Sequence, residues 1–235
     1  MHRLCVRLLL ALSLALSLGA AEAADFDYDW LSGGLMRNYP GGIVEDGWFV
    51  DGSVAVSSQF TLQGDFYRLK YDQNLCLGTP GGLNTGICFG QSSRWDYLRL
   101  GAGWHLAMTD SADLLADAYY ARDKNHDEVV NTVFAPGITC PANGFAIPGG
   151  CAEETTHDVT GSGYLLDVGV RVRCSCALEF KGYLGHVSVG GGFGASNFVR
   201  AEGAWQFANH WALVLDARHY SSPSNQYRLG MRYLF

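Results

Sequence analysis

The sequence predicts an all-β protein, a closed antiparallel transmembrane β-barrel of ten strands, with eight strands as the alternative. Three observations indicate this fold: apolar and polar residues alternate with a period of two, short and long connections alternate, and the last segment is itself an alternating strand. Composition agrees, because the 235 residues include 30 glycines and 13% aromatic residues but only 17% charged residues. This mixture is typical of a β protein with a wide apolar surface.

The N-terminal segment predicts export from the cytoplasm. A basic start precedes the apolar run LLLALSLALSLGA, and the A-x-A cleavage pattern AEA follows at residues 21–23. This is the layout of a secretory signal peptide. We therefore expect residues 1–23 to be the signal peptide and residues 24–235 to form the barrel. The mature chain is acidic, so no nucleic acid is expected as a partner.

The alternation separates apolar from polar side chains in each predicted strand. In WFVDGSVAVSS, Trp48 and Val50 share one face while Asp51 lies on the other, and the same split recurs in GYLLDVGVRVR, FVRAEGAWQF and WALVLDARH. Less regular copies are FTLQGDFYRL, DYLRLGAGWHLAM, DLLADAYYA and LEFKGYLG. A first strand over 26–37 and a last strand over 226–235 complete a count of ten, with 9–11 residues expected in each.

The connections between these strands are of two alternating kinds. Outer-membrane barrels have short periplasmic turns and longer external loops, so ten strands with periplasmic termini would give four turns and five loops. A water-soluble barrel offers no reason for this asymmetry and would carry its charged residues outside. The predicted short turns are 57–59, 108–112, 174–177 and 208–210, and the predicted long loops are 38–46, 72–93, 122–162, 187–197 and 221–225.

The polar face of the strands predicts a lumen filled with opposite charges. A barrel of about eight strands has an interior that side chains fill, whereas open aqueous channels need about 16 strands. We therefore expect a hydrogen-bonded plug, with a narrow conduit as an alternative. The predicted lumen network consists of Asp51, Arg99, Asp167, Arg171, Arg173, Glu179, Lys181, Arg200 and Glu202.

Six of the seven cysteines follow the signal peptide and lie in three close pairs. In an exported protein such pairs predict disulfides. Cys76–Cys88 and Cys140–Cys151 are the expected bridges, and each brackets a polar, glycine-containing segment. For the C-x-C pair at 174–176 the question stays open, because a bridge between residues two apart is geometrically tight.

One segment near the C-terminus has the residue types of a lipid hydrolase. His219-Tyr220-Ser221 resembles the H-x-S element of outer-membrane lipid A deacylases, and parity places His219 and Ser221 on the lipid face. The resemblance is incomplete, since Ser222 replaces the family's Asn and no carboxylate follows Asp216. We interpret the segment as part of the membrane interface, with lipid A hydrolysis as an alternative function.

An acidic segment offers a second catalytic candidate. His157-Asp158, Asp123, Asp127 and Glu128 are the residue types that outer-membrane aspartyl-type proteases use. Nothing in the sequence fixes their geometry, so a solvated acidic loop is the better interpretation. The sequence predicts no catalytic residues, no cofactor and no metal site.

Several strand blocks together resemble a known family. DGWFVDGSVAVSSQFTLQGDF, WDYLRLGAGWHLAMTDSADLLADAYYA, GYLLDVGVRVR and the terminal strand resemble the small OmpA-like outer-membrane β-barrel proteins. The resemblance implies a location in the outer membrane of a Gram-negative cell, export by a signal peptide and release in membrane vesicles. It implies no catalytic residues. The cysteine-bracketed insertions are longer than the usual loops of that family.

The chain ends in YRLGMRYLF, which has the ending of an outer-membrane barrel. Arg228, Gly230, Tyr233 and Phe235 match the pattern polar-x-Gly-x-x-aromatic-x-aromatic, which resembles the signal read by the barrel assembly machinery. We expect a non-enzymatic barrel that acts through its extracellular loops in envelope structure, adhesion or interaction. Its expected partners are outer-membrane lipid, the assembly machinery and an unidentified extracellular ligand.

Overall fold

The computed structural model describes residues 28–78, 86–134, 140, 144–147, 150–175, 177–222 and 224–235. The signal peptide predicted at 1–23 lies outside these ranges. No helix within them is long and apolar enough to cross a membrane. The strands are β1 (Trp30–Asn38), β2 (Glu45–Ala55), β3 (Phe60–Gly78), β4 (Gly86–Thr109), β5 (Ala112–Phe134), β6 (Gly144–Ile147), β7 (Gly150–Ser175), β8 (Leu178–Val189), β9 (Gly194–Ala208), β10 (Trp211–Tyr220) and β11 (Asn225–Leu234).

Ten of these strands close into one antiparallel barrel, as the sequence predicts. Each strand pairs with its neighbours in the chain, β1 pairs with β11 from Trp30↔Leu234 to Asn38↔Gln226, and β5 pairs with β7. The short β6 stands outside the ring, because it pairs with β7 alone. The β1–β11 and β5–β7 ladders are both continuous. Within the described residues, the barrel therefore has no open edge along its membrane-spanning part.

The ends of the barrel differ. The first described residue Tyr28, the C-terminal Phe235 and the tight connections at 56–59, 110–111, 209–210 and around Ala177 lie at one end, which we call the lower end. The connections at 39–44 and 190–193 lie at the opposite, upper end, where the described strands also end at Gly78, Gly86, Phe134, Gly150, Tyr220 and Asn225. The alternation of turns and loops is thus confirmed in its order along the chain.

The prediction of long loops at 72–93 and 122–162 was wrong. β3, β4, β5 and β7 continue through most of both segments and have 19, 24, 23 and 26 residues instead of 9–11. The described parts of these strands stop at Gly78 and Phe134 and resume at Gly86 and Gly150, with β6 between the last two. These stretches were read as loops because they are mostly polar and contain glycine, but their described residues pair with the neighbouring strands.

These four strands form a sheet that extends beyond the rest of the barrel. The last pairs with the shorter neighbours are Asp46↔Lys70 on one side and Gly163↔Val189 on the other. We call the extension the overhang and define it as 71–78 of β3, 86–93 of β4, 127–134 of β5 and 150–162 of β7. Eight residues in a strand span about 26 Å, so the overhang stands well above the rest of the rim.

The outer surface of the barrel is an apolar belt between two aromatic girdles. Exposed aliphatic side chains fill the belt, among them Val50, Leu100, Leu166, Leu215 and Leu229. Such an arrangement matches the lipid-facing surface of a transmembrane barrel. The exposed aromatic residues are Trp48, Tyr120, Tyr164 and Tyr227 toward the upper end and Phe60, Phe180, Trp205, Phe207, Trp211 and Phe235 toward the lower end.

Seam closure between β1 and β11 depends on a glycine at the point of closest approach. A Cβ atom on Gly34 would lie 2.1 Å from the carbonyl oxygen of Leu229 and 2.5 Å from the Cα of Gly230. A Cβ atom on the adjacent Gly33 would lie no closer than 3.5 Å to any atom outside its own chain neighbours. A methyl group at Gly34 would therefore collide with the backbone of β11, whereas a methyl group at Gly33 would fit without a collision.

We expect Gly34→Ala to lower the yield of closed barrel severalfold, because the added methyl group collides with backbone rather than with a movable side chain. Gly33→Ala is the matched control and should assemble normally. The measurement is the fraction of protein with heat-modifiable gel migration after membrane extraction. Equal fractions for the two variants would contradict the role assigned to Gly34.

Candidate functional site

The upper limit of the apolar belt is marked by charges on the outer face. Arg68 on β3 forms a two-point ion pair with Asp96 on β4, with Nε–Oδ1 and Nη2–Oδ2 distances of 2.5 and 3.0 Å. Arg122 and Lys124 are exposed on the outer face of β5. Charged side chains are costly in hydrocarbon, so the membrane-spanning part of β5 ends at Ala121 and the residues beyond it lie above the belt.

The lower lumen holds the main ion-pair cluster, centred on Glu202 of β9. Its Oε1 lies 3.1 Å from Lys181 Nζ and 2.7 Å from Arg232 Nη2, and its Oε2 lies 2.7 Å from Arg200 Nη2. All four residues are buried, or nearly so. The Glu202 carboxylate thus pairs with Lys181 on β8, Arg200 on β9 and Arg232 on β11, and these ion pairs link the three strands across the interior.

Two further carboxylates extend this cluster. Glu179 accepts a hydrogen bond from Arg171 Nη2 at 2.6 Å and lies 3.5 Å from Lys181 Nζ. Asp216 pairs with Arg200 Nε. The structure therefore brings together five predicted lumen residues, Arg171, Glu179, Lys181, Arg200 and Glu202, and adds Asp216 and Arg232, which the predicted network did not include.

The remaining predicted lumen residues lie inside the barrel but outside this cluster. Arg99 pairs with Asp65, to which Arg228 Nη1 also donates at 2.9 Å. Asp167 lies across the ladder from Asp117, and Arg173 lies across from Glu179 near the lower mouth. Asp51 also points inward, but none of the described ion pairs includes it.

Residues just before β1 close the lower part of the lumen. Tyr28 donates its hydroxyl hydrogen to Asp113, and its ring stacks on His105 at a centroid distance of 3.8 Å. The guanidinium of Arg171 lies 4.6 Å from the centroid of the same ring. Sequence reasoning missed this contact, because Tyr28 precedes any alternating pattern and its partners come from β4, β5 and β7.

The upper lumen is lined by aromatic and aliphatic side chains rather than by charges. Tyr67 and Tyr97 lie opposite each other on β3 and β4 and stack at 4.8 Å. The sequence did not predict this apolar layer, although the alternation in each strand assigns its members to the inward face. Its buried members are Met36, Phe49, Tyr67, Leu69, Tyr97, Ala121 and Val189, and a neighbouring cluster adds Tyr119, Leu165 and Phe198.

A cavity of about 130 Å³ lies at the upper mouth, above this layer. Its walls include Tyr67, Trp95 and Tyr97 from one side of the barrel, and Phe193 and Tyr220 from the opposite side. We call it the mouth pocket. Phe193 belongs to the β8–β9 turn, and its ring lies parallel to that of Trp95 with 6.3 Å between centroids.

One carboxylate is buried in the wall of the mouth pocket. Asp123 is 3% exposed and accepts a hydrogen bond from Trp95 Nε1, the one donor that reaches it in the described part of the chain. No described cation forms an ion pair with it. Burial raises the pKa of Asp123 to about 8, because desolvation disfavours the charged form.

The other residues of the acidic candidate do not assemble into a catalytic group. Asp127 Oδ2 accepts a hydrogen bond from Asn125 Nδ2 at 2.9 Å. His126, on the outer face, lies 2.6 Å from Asp158 through Nδ1 and Oδ1, and this hydrogen bond lowers the pKa of Asp158. Asp123 faces the interior instead, so the acids lie on different surfaces of the sheet.

The residues of the lipase-like candidate lie on the outer surface, as parity predicts. His219 Nδ1 contacts Asn225 Oδ1 at 2.6 Å. Ser221 Oγ lies 3.0 Å from Ser196 Oγ and accepts a hydrogen bond from the Asn197 amide at 3.1 Å. Both side chains line one apolar outer groove, but the hydrogen bonds they form lead to other residues and not to each other.

The disulfide prediction is confirmed for one pair. Cys140 and Cys151 are bonded. Cys88 is also disulfide-bonded, and β3 places Cys76 directly opposite it, but the Cys76 side chain lies outside the described residues. Cys174 is free and exposed. Cys176 is not among the described residues.

The C-terminal residues divide between the two faces of β11. Arg228 and Arg232 are buried in the lumen, and Tyr227, Leu229 and Met231 are exposed on the outside. These faces agree with the prediction. Gly230 completes the seam opposite Gly34, Tyr233 packs edge-on against Trp211 at 5.0 Å, and Phe235 is 66% exposed.

A closed ring of ten strands, an apolar belt between aromatic girdles and a charged interior define a transmembrane β-barrel of the outer-membrane class. Both the outer surface and the seam support this class, independently of any relative.

Known structures resemble the chain in the same general way. The attachment invasion locus protein Ail of Yersinia pestis has 9% identity and a TM-score of 0.40 over 89% of this chain and all of its own. The outer-membrane protease OmpT of Escherichia coli has 11% identity and a TM-score of 0.46 over 89% of this chain and 95% of its own. The translocator domain of the Neisseria meningitidis autotransporter NalP has 13% identity and a TM-score of 0.42, over 100% and 96%. No protein-family model and no curated protein sequence matches the chain.

We expect Glu202→Gln to lower the free energy of unfolding by about 3 kcal/mol, because it leaves Lys181, Arg200 and Arg232 buried with less compensating charge. The measurement is a urea titration of the barrel refolded into lipid vesicles. Asp46→Asn is the control, since Asp46 pairs with Arg37 at an exposed position, and it should leave the urea midpoint unchanged. A midpoint in Glu202→Gln equal to that of the wild type would show that the cluster does not stabilise the barrel.

Proposed function

We propose that this protein is a non-enzymatic outer-membrane barrel that contacts protein partners outside the cell through its overhang. The upper end is then the extracellular end, in keeping with the short periplasmic turns of such barrels. The observation that supports the proposal is the overhang itself. Four adjacent strands continue far above the apolar belt, where neither the membrane nor the barrel needs them.

The overhang has two features suited to a polypeptide partner. Its inner face carries Ile87 and Phe89, which are 42% and 43% exposed, beside the half-buried Val129 and Val133. Among the described residues its edges are also open, because the β2–β3 ladder stops at Asp46↔Lys70 and β6 pairs with β7 only from Gly150 to Glu153. An open strand edge can bind an extended segment by strand addition.

The lumen contributes rigidity in this proposal rather than transport. Ion pairs join strands across the lower interior, and stacked aromatic rings occupy the upper interior. A plug of this kind is the expected content of a barrel with so few strands. The barrel then serves as a stiff base from which the overhang is displayed.

Removing the overhang should abolish attachment to protein surfaces while the barrel stays folded. Residues 71–93 and 127–157 can each be replaced by Asn-Gly, because Lys70↔Arg94 and His126↔Asp158 are directly opposed pairs that a two-residue turn can join. The measurement is attachment of Gram-negative cells carrying each variant to immobilised fibronectin or collagen. Attachment no greater than that of the empty host, or attachment that survives the removal, would contradict the proposal.

A matched pair of substitutions separates the open edge from the inner face. The Ser162 carbonyl accepts a hydrogen bond from the Gly190 amide, so in β7 the even-numbered residues direct their backbone groups toward the open edge. Thr156→Pro therefore removes an edge N–H without breaking the β5–β7 ladder, and Thr156→Val keeps it. Loss of attachment in the proline variant alone assigns binding to the edge.

Two assays on the purified barrel address the alternative functions. Conductance steps in a planar bilayer would support the narrow conduit. Release of 3-hydroxy acyl chains from lipid A, lost in Ser221→Ala, would support the lipid A hydrolase formed by His219 and Ser221. We expect neither signal, because the lumen is crossed by ion pairs and Ser221 is bonded to residues other than His219.

We also propose that the last strand is the signal for the barrel assembly machinery. Phe235 makes few contacts that could stabilise the folded barrel: its amide donates to the Asp29 carbonyl at 3.1 Å and its ring meets that of Tyr233 edge-on. Removal of Phe235 should therefore reduce assembly into the membrane without lowering the stability of the folded barrel.

We expect deletion of Phe235 to reduce the amount of protein in the outer membrane severalfold, while purified and refolded protein keeps its urea midpoint. Phe60→Ala is the control, since Phe60 is a comparably exposed aromatic residue at the same end, and it should affect neither quantity. Unchanged membrane yield after the deletion would contradict the proposal.

A further inference from the structure

The mouth pocket has the composition of a ligand site that none of the functions above uses. It is a cavity of about 130 Å³, far larger than the roughly 15 Å³ that one water needs. Its walls come from β3, β4 and β5 on one side and from β8 to β11 with the β8–β9 turn on the other, so it exists only in the closed barrel. It lies above the apolar belt, where solutes outside the cell can reach it.

Five aromatic side chains line the pocket, together with smaller aliphatic and polar residues. Tyr67 and Tyr97 stack on each other, Trp95 meets Tyr67 edge-on at 6.3 Å, and Phe193 lies parallel to Trp95. Tyr220 lines the same cavity. Aromatic faces carry negative quadrupole density and attract cations, and several such rings around one space are the usual way to hold an alkylated ammonium group.

The one carboxylate in the wall lacks a cationic partner. Asp123 receives a hydrogen bond from Trp95 Nε1, and no ion pair to it exists among the described residues. The nearby arginines lie on the lumen side of the wall: Arg218 Nη1 donates to the Tyr220 hydroxyl at 3.1 Å, and Arg228 and Arg99 lie 5.2 and 5.7 Å from the ring centroids of Tyr67 and Tyr97. Arg122 and Lys124 are on the outer face. A buried carboxylate without a counter-ion is costly, and a bound cation would supply one.

The rim of the pocket includes a turn that can adopt this position because of its glycines. Gly191, Gly192 and Gly194 have φ values of 72°, 93° and 80°, a region that residues with a side chain rarely occupy. This backbone directs Phe193 across the mouth toward Trp95 on the opposite wall. The contact joins two sides of the barrel that share no ladder, so it covers the pocket from above.

We propose that the mouth pocket binds a small organic cation, a quaternary or alkyl ammonium group, with Asp123 as its counter-ion. Tyr67, Trp95 and Tyr97 form the aromatic wall, and Phe193 covers the bound group. A neutral ligand of the same shape would leave Asp123 as the protonated acid and would gain no ion pair with it, so charge and not only shape determines selection at this site.

The test compares two ligands of nearly the same shape that differ in charge. Choline carries a trimethylammonium group, and 3,3-dimethyl-1-butanol carries the neutral carbon analogue. We expect isothermal titration calorimetry of the full-length barrel in a non-ionic detergent to detect choline binding and to show binding at least about tenfold weaker for the alcohol, a difference of about 1.4 kcal/mol. Equal affinity for the two, or no choline binding at millimolar concentration, would overturn the proposal.

Two substitutions test the residues themselves. Asp123→Asn keeps an acceptor for Trp95 Nε1 but removes the charge, and it should lose the preference for choline over the alcohol. Phe193→Ala alters only the cover and should weaken choline without removing that preference. Asp46→Asn, an exposed carboxylate outside the pocket, should bind choline as the wild type does. Choline binding that is unchanged in Asp123→Asn would refute the assignment of the counter-ion.

The pH dependence gives an independent measurement. The groups around Asp123 are the phenols of Tyr67 and Tyr97, whose pKa values burial raises, and the Tyr220 hydroxyl, with Arg218 and Arg228 on the lumen side. Burial raises the pKa of Asp123 to about 8, so the empty pocket holds a protonated acid at neutral pH. Choline affinity should therefore rise about tenfold from pH 6 to pH 7 and level off above pH 8, and this rise should be absent in Asp123→Asn.

Discussion

Pairing of backbone hydrogen bonds in a medium without water is the constraint on which the structure depends. Within the apolar belt, an N–H or C=O group without a partner would cost several kcal/mol, so the sheet must close on itself. The β1–β11 seam meets this requirement, and Gly34 and Gly230 allow the two backbones to approach closely where they cross. The outward parity of the apolar residues and the inward parity of the charged ones then follow from the pleat.

Closure at ten strands in turn determines what the interior must contain. The space is too narrow for bulk water, so most inward charges pair with opposite charges, many of them on other strands. Glu202 holds Lys181, Arg200 and Arg232, and Asp65 holds Arg99 and Arg228. The ion pairs are therefore a consequence of the size of the barrel as much as a source of stability, and a wider barrel with the same residues would hydrate them.

The sequence predicted those parts of the fold that depend on parity along one strand. The faces of β2, β7, β9, β10 and β11, the number of strands in the ring and the closing strand could all be read locally, because a period of two is a property of neighbouring residues. The overhang could not, because YDQNLCLG is mostly polar and its partner strands carry few apolar residues, so its structure depends on the strands beside it.

The candidate sites show the same division. Arg171, Glu179, Lys181, Arg200 and Glu202 were expected to meet because they share the inward face of neighbouring strands. The mouth pocket was not expected, since Trp95 and Phe193 are brought together by barrel curvature across the lumen. The inward position of Tyr67 opposite Tyr97 was the one signal in the sequence that could have pointed to it.

The rim of the barrel has very unequal heights around its circumference. The four strands of the overhang are consecutive around the ring, and the opposite arc from β8 to β2 ends in short connections. The mouth is thus walled on one side and open on the other. A molecule the size of an antibody would contact the overhang first, whereas a small solute could enter from the side, over the short connections between β8 and β2. Access to the mouth therefore depends on the size of a molecule and on the direction from which it approaches.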